Sequence, residues 1–412
     1  MAKTVKSYLS VWARQSRNWR ILSIRALFHR FFQRLTMAYT SIYIRELGAN
    51  PIQLGVVNSF NQVAGTLISI PVGWLEDRFS LRKIFLIGVG LAQLVTLIYA
   101  LATDWIMIVP AMVLSAFAMK IGVCLTICDV SLKDEDRGTC KGICDGLFNG
   151  PSLLAPTLAA VLITFAGGIS VRGIRPLFWI QLIAGTVLFV FVATQLKEIV
   201  RPRATRQFRL REGYREVFRR GNALKRFIVF SVVNTVMMNM VTPFTYPFAR
   251  EIQNANPFIL GWMSTAGLVV QIVLAAPFGR IADRIGGRRV IYMTEPLYWM
   301  SVLILVFAPA PEFLIISSTL GGFRMIANYV AMTPLRVERV PIDCIGRWRG
   351  ILGLFGGLVS IPAPIIGGII WDTVGPHALL LIPLVMSLLI KIPLLSTLPK
   401  KRKMLRVPDA KS

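Results

Sequence analysis

The sequence predicts an all-α integral membrane protein: twelve transmembrane helices arranged as two pseudo-symmetric six-helix bundles. Three observations lead there. The 412 residues are 55% hydrophobic and only 16% charged, where soluble domains carry about a quarter charged residues. The basic residues fall in alternate loops. And one charged stretch, "GWLEDRFSLRK" at 73–83, returns about 206 residues later as "GRIADRIGGRR" at 279–289.

A spanning helix needs roughly 20 apolar residues. Twelve segments qualify: 21–44, 52–75, 84–103, 105–129, 142–166, 176–196, 224–249, 257–279, 289–308, 312–334, 346–370 and 377–398. In lipid each must satisfy its own backbone hydrogen bonds, so helices follow. The short alternating strands of a membrane barrel are absent. The first 20 residues are basic and include no cleavable signal. Trp12 and Trp19 read there as interfacial anchors. Residues 21–196 form the first bundle and 224–398 the second. A basic linker at 197–223, with a short amphipathic helix expected near 208–220, joins them, and a basic tail at 399–412 closes the chain.

The net charge of +26 would suggest nucleic acid in a soluble protein. Its distribution argues against that partner. About 36 of the 46 Lys and Arg lie in the termini and every second loop. The opposite loops hold Arg45, Arg172, Arg175 and Arg250. This bias places both termini and the central loop in the cytoplasm of a cell-membrane protein. The lipid bilayer is the expected partner, and anionic headgroups suit the basic loops.

Both charged stretches follow the second span of their half and precede the third. A second echo supports the repeat: "RGTCKGICDGLFNGPSLLAP" opens the fifth span and "RWRGILGLFGGLVSIPAPIIGG" the eleventh. With Gly73, Leu75, Asp77, Arg78, Arg82 and Lys83 matched by Gly279, Asp283, Arg284, Arg288 and Arg289, the chain resembles the major facilitator superfamily. That family's loop signature is roughly G-x-x-x-D-R-x-G-R-R/K. The first copy has Ser80 and Leu81 where Gly and Arg are usual; the second keeps Gly286 but has Gly287 in the Arg position. The resemblance covers essentially the whole chain. It implies that this loop holds the halves together on the cytoplasmic side in one of two states. Gly73 and Gly279 would permit close helix approach. Asp77 would pair with Arg347 or Arg349, and Asp283 with Arg137. The competing reading is topogenic: the cations merely keep the loop inside.

Charges within the spans are costly, about 2.5–3.5 kcal/mol each on insertion scales. Arg34 falls near the centre of the first span, with Arg30 one turn away; Lys120 lies in the fourth and Arg324 in the tenth. The resemblance implies that spans 1, 4, 7 and 10 line a central cavity. Span 7 offers Asn234 and Asn239, with Pro243 and Pro247 to break it locally; Asn328 and Gln33 add hydrogen-bonding groups. A cationic cavity would suit a small anionic substrate, because Arg reads carboxylate or phosphate with two parallel bonds. The alternatives are structural pairing with Glu295, Asp129 or Asp145, and a proton-linked role for Lys120. His29 reads as a satisfied polar residue, Lys391 as snorkelling to the interface, and Glu295 as packing on a peripheral ninth helix.

"GLFNGPSLLAP" at 146–156 partly resembles the fifth-helix pattern of drug–proton antiporters through Gly146, Gly150 and Pro151, with Leu154 and Ala155 in place of its final Gly pair; ordinary small-residue packing around a kink is the favoured reading. Cys124 and Cys128, and Cys140 and Cys144, are spaced one turn apart, and small apolar filler is the expected role rather than a metal site. No phosphate-cradling loop is present, and no cofactor or metal is expected. The function predicted is that of a secondary active transporter working by alternating access, with ion-coupled efflux first and uptake or exchange of an organic anion second. Protons are the candidate coupling ion and a monomer is expected. A transport-dead receptor on the same fold ranks lower. An enzyme is not expected, because two scattered histidines and no clustered carboxylates offer little chemistry.

Overall fold

The computed structural model describes residues 12, 14–78, 80–121, 140, 149–198, 218–219, 224–337 and 345–398, and the side chains of all these except 69–78, 120, 333–334, 337 and 345–347. Every regular element among them is helical. The first half comprises α1 (Arg17–Met37), α2 (Thr40–Glu46), α3 (Pro51–Arg78), α4 (Leu81–Leu101), α5 (Ile108–Ile121), α6 (Ala155–Phe165) and α7 (Val171–Gln195). The second comprises α8 (Leu224–Val241), α9 (Thr245–Glu251), α10 (Pro257–Ile285), α11 (Gly287–Val306), α12 (Phe313–Ile326), α13 (Met332–Val337), α14 (Ile345–Ser360), α15 (Ala363–Thr373), α16 (Pro376–Met386) and α17 (Ile392–Thr397). Eight helices among the described residues are long and apolar enough to cross a membrane.

Several predicted spans are broken into two helices, each for a visible reason. Span 7 breaks at the 3₁₀ turn Thr242–Phe244, where Pro243 lacks an amide hydrogen. Within span 5 a 3₁₀ turn at Pro151–Leu153 precedes α6. Spans 10 and 12 each contain a π-helical segment, Ala327–Ala331 and Ser387–Lys391. The halves echo one another at helix starts. Asn50 accepts from the Gln53 amide and Asn256 from the Ile259 amide, each followed by a proline at the first helical position.

The core divides in a telling way. At the end away from the termini, one apolar cluster draws residues from both halves, among them Tyr39, Tyr43, Phe178, Phe244, Phe248 and Trp371. At the terminal end two clusters stay apart. One belongs to the first half (Leu22, Phe85, Val192) and the other to the second (Phe227, Val290, Trp348). Among the described residues, the buried apolar core is therefore shared by the halves at the far end and divided between them at the terminal end. Between them at the terminal end lies a cavity of about 490 Å³, lined by Asn61, Thr66, Ser231, Thr235, Arg336 and Arg349 among others.

Two expectations are corrected here. Trp19 is buried in the helical packing and is not an interfacial anchor, while Trp12 donates its indole N–H to Ser23. Gly279 is not the close-approach glycine, since an added methyl would meet only Val330 at 3.9 Å, an ordinary contact. That role falls to Gly287, whose missing side chain lets the Ala331 backbone pass, with the carbonyl carbon 3.0 Å from where a Cβ would stand. Gly286 before it sits at φ +88, which favours glycine. The departure of the second loop from the family pattern thus has a packing cause.

Candidate functional site

Arg34 of α1 and Arg324 of α12, one from each half, line a single cavity of about 310 Å³. The rest of its wall is amphipathic: Met37, Met237, Met238, Met263 and Met325, with Tyr246 and Tyr298 and a row of small residues on α10 and α12. Arg324 is 7% exposed, and its Nε and Nη2 are buried without a hydrogen-bond partner. Its guanidinium lies over the Tyr298 ring, 3.9 Å from the centroid, a cation–π contact worth about 2 kcal/mol when desolvated. Arg34 donates to the Met37 sulfur at 3.2 Å, a weak acceptor. Among the described residues, no carboxylate forms an ion pair with either arginine.

Other predicted contacts fall elsewhere. Asn234 donates through its side-chain amide to Asn328 Oδ1 at 3.1 Å, tying α8 to the π segment of span 10; neither lines the cavity. Asn239 and Arg30 are half-buried outside its wall, and Gln33 is exposed. The side chain of Lys120 lies outside the described residues. So do Asp129, Asp145, Cys124, Cys128, Cys144 and the helix expected near 208–220, apart from Phe218 and Arg219. Cys140 is buried.

The reading of Glu295 and Lys391 is overturned. Lys391 is 4% exposed and forms an ion pair with Glu295, which is 1% exposed. Ser387 donates to the second Glu295 oxygen at 2.6 Å. Lys391 does not snorkel, and the ninth span is not peripheral: Tyr298, Ser301, Val302 and Leu305 of α11 line the cavity. The sequence hid this because the partners are about 96 residues apart in the chain.

Two loop arginines bond within their own halves, while the expected pairs of Asp77 with Arg347 or Arg349 and of Asp283 with Arg137 each include a side chain outside the described residues. Arg82 donates to the Ala193 carbonyl at the end of α7, and Arg288 donates to the Ser396 and Leu398 carbonyls at the end of α17. Each arginine caps the sixth span of its own half, where exposed carbonyls and the helix dipole favour a cation. Asp283 and Arg284 are exposed, and Arg349 is exposed on the wall of the larger cavity. Gly73, Asp77, Arg78 and Arg347 have side chains outside the described set, as does Arg137 entirely.

A contact that sequence reasoning missed joins the halves at the far end. Arg45 donates through Nε and Nη2 to the two Glu251 oxygens, at 2.8 and 2.9 Å. The signal was present in the sequence: "RELGANP" at 45–51 returns as "REIQNANP" at 250–257. The echo places a second Arg and Glu, Arg250 and Glu46, across the same pseudo-twofold axis. Glu46, outside the membrane-spanning segments, has its carboxyl pushed upward by partial burial, with Arg250 opposing. Exposed pairs contribute up to about 1 kcal/mol, so Arg45→Glu should shift the open-to-closed balance of the far end by about fivefold. The paired swap Arg45→Glu with Glu251→Arg should restore it. Distances between spin labels across that end are the measurement. A swap no better than the single variant would show that the pair does not latch the halves.

Comparison with known proteins follows the same architecture. The Major Facilitator Superfamily model matches residues 22–251 and 228–411. An uncharacterized MFS-type transporter of Methanocaldococcus jannaschii is 21% identical, with 86% of this chain and 89% of that one covered. The multidrug resistance protein MdtG of Dickeya zeae is 22% identical, covering 84% and 86%. The crystal structure of a point variant of the nucleoside transporter NupG superposes with a TM-score of 0.76 at 13% identity, covering 92% of this chain and 99% of that one.

Proposed function

The chain belongs to the major facilitator superfamily, and on that premise we propose that it exports an amphipathic organic anion by alternating access, driven by an ion gradient. One observation supports this above the rest: two buried or half-buried arginines from opposite halves share one methionine-lined cavity, with no carboxylate paired to either among the described residues. A cation held in low dielectric needs an anion or a dipole, and the solute supplies it. Methionine fills irregular space and accommodates varied shapes, which suits a range of solutes. The resistance function in the name of one relative favours export over uptake. With both termini in the cytoplasm of a cell membrane, as the loop charges argue, the far end faces outward and the larger cavity lies toward the cytoplasm. In the opposite state the far end would part and the terminal ends would meet.

The test compares two dyes on one three-ring skeleton: fluorescein, an anion, and rhodamine methyl ester, a cation. With the purified protein in liposomes, fluorescein flux should exceed that of protein-free vesicles and rise with an imposed proton gradient. Rhodamine flux should match the control. Rhodamine movement without fluorescein movement would overturn the anionic reading, and fluorescein flux indifferent to proton and sodium gradients would overturn the coupling.

A further inference from the structure

We infer that Lys391, which does not line the cavity, sets its charge preference: by holding Glu295 it keeps Arg324 free to meet a solute anion. This rests on the anionic reading above and adds to it a pair of positioning residues. Glu295 and Tyr298 stand one turn apart on α11, and the Arg324 guanidinium lies on the Tyr298 ring. Glu295 is thus the carboxylate placed to neutralise Arg324, and arginine is ordinarily the better partner, offering a planar fork of donors. Yet both Glu295 oxygens are occupied from span 12, one by Lys391 and the other by Ser387. Lys391 is within electrostatic reach of both Glu295 and Arg324.

The segment that supplies both partners, Ser387–Lys391, is π-helical, and the segment directly after Arg324, Ala327–Ala331, is π-helical too. Such turns are rare and concentrate where a helix is shaped for function. Trp299 braces the arrangement by donating to the Ser387 hydroxyl at 3.1 Å. Among the described residues the cluster therefore holds two cations and one anion, and the surplus positive charge is left on the residue that lines the cavity. Lys391 acts on the solute only through Glu295.

Removing the Lys391 charge should release Glu295 to the next cation, Arg324, and cancel the cavity's charge from behind. Removing both charges should give Arg324 back. The measurement is dye anisotropy with the full-length protein in lipid nanodiscs near neutral pH. Wild type should bind fluorescein in preference to rhodamine methyl ester. Lys391→Met should weaken fluorescein binding at least about tenfold, a change of one decade in affinity, and erase the preference. Lys391→Met combined with Glu295→Gln should return fluorescein affinity to near the wild-type value, and Lys391→Arg should retain it. A Lys391→Met protein with unchanged charge preference overturns the inference, as does a well-folded double variant that binds no better than the single one. Should Lys391→Met fail to fold, Lys391→Gln carries the same expectation and the double variant still decides. A wild-type protein that binds neither dye, or prefers the cation, overturns the anionic reading itself, an outcome distinct from wild-type preference with an indifferent Lys391 variant.

Discussion

Arg34→Ala and Arg324→Ala are each expected to reduce fluorescein flux by about 10- to 100-fold, the equivalent of losing one charge-assisted hydrogen bond of about 1.5–3 kcal/mol. The two arginines approach one cavity from opposite halves, so neither substitutes for the other. Arg324 is the more deeply buried and has no hydrogen-bond partner at Nε or Nη2. Among the described residues its removal gives up the contact with Tyr298 and breaks no ion pair. Thermal unfolding of Arg324→Ala should therefore stay within a few degrees of wild type while flux collapses. Arg324→Lys keeps the charge but loses the planar fork and should fall between the two. Unchanged flux in both alanine variants, with the proteins intact, would remove the cationic cavity from the mechanism.

The reach of the sequence can be judged on particular residues. Arg34 and Arg324 were visible because a charge in the middle of an apolar run is expensive wherever it falls; the cost marks the residue without reference to any partner. The twofold organisation was visible for a similar reason, since Arg82 and Arg288 recur at matching loops. What those two arginines bond was not visible. Their partners are carbonyls at Ala193, Ser396 and Leu398, and any sequence supplies carbonyls. Asn234 and Asn328 show a related limit. Polar residues in lining helices attract a functional reading, yet these two amides bond to one another away from the cavity. Glu295 and Lys391 were misread for want of the three-dimensional fact that spans 9 and 12 are neighbours. Once they are, a mutual pair is what burial demands, because breaking such a pair costs about 3–5 kcal/mol. The Arg-Glu repeat at 45–46 and 250–251 was legible and overlooked; its echo is as close as that of the loop signature, but shorter.

Gly55→Ala should shift the protein toward the state in which the far end is open. Gly55 of α3 lies against α15 of the other half so closely that an added methyl would stand 2.8 Å from the Pro364 carbonyl carbon and nearer still to its oxygen. Gly368 of α15 returns the contact, with a Cβ there 2.5 Å from the Pro51 oxygen and 2.7 Å from the Ile52 Cα. Both obstacles are backbone, which cannot rotate aside. Overpacking of this kind costs about 1–3 kcal/mol, and here the cost is borne only while the far end is shut, so the open state gains about 5- to 150-fold in relative population. Spin labels on Thr103 and Glu312, exposed at the far end of the first and second halves, should report longer distances in Gly55→Ala and in Gly368→Ala than in wild type. Gly353→Ala supplies the control, because nothing lies within 4 Å of its added methyl, and its distances should match wild type. Transport should slow in the first two variants, since a cycle that must pass through the closed far end now climbs to reach it. Identical distance distributions in wild type and Gly55→Ala would mean that the two halves do not part along the α3–α15 contact, and the hinge of the cycle would have to lie elsewhere.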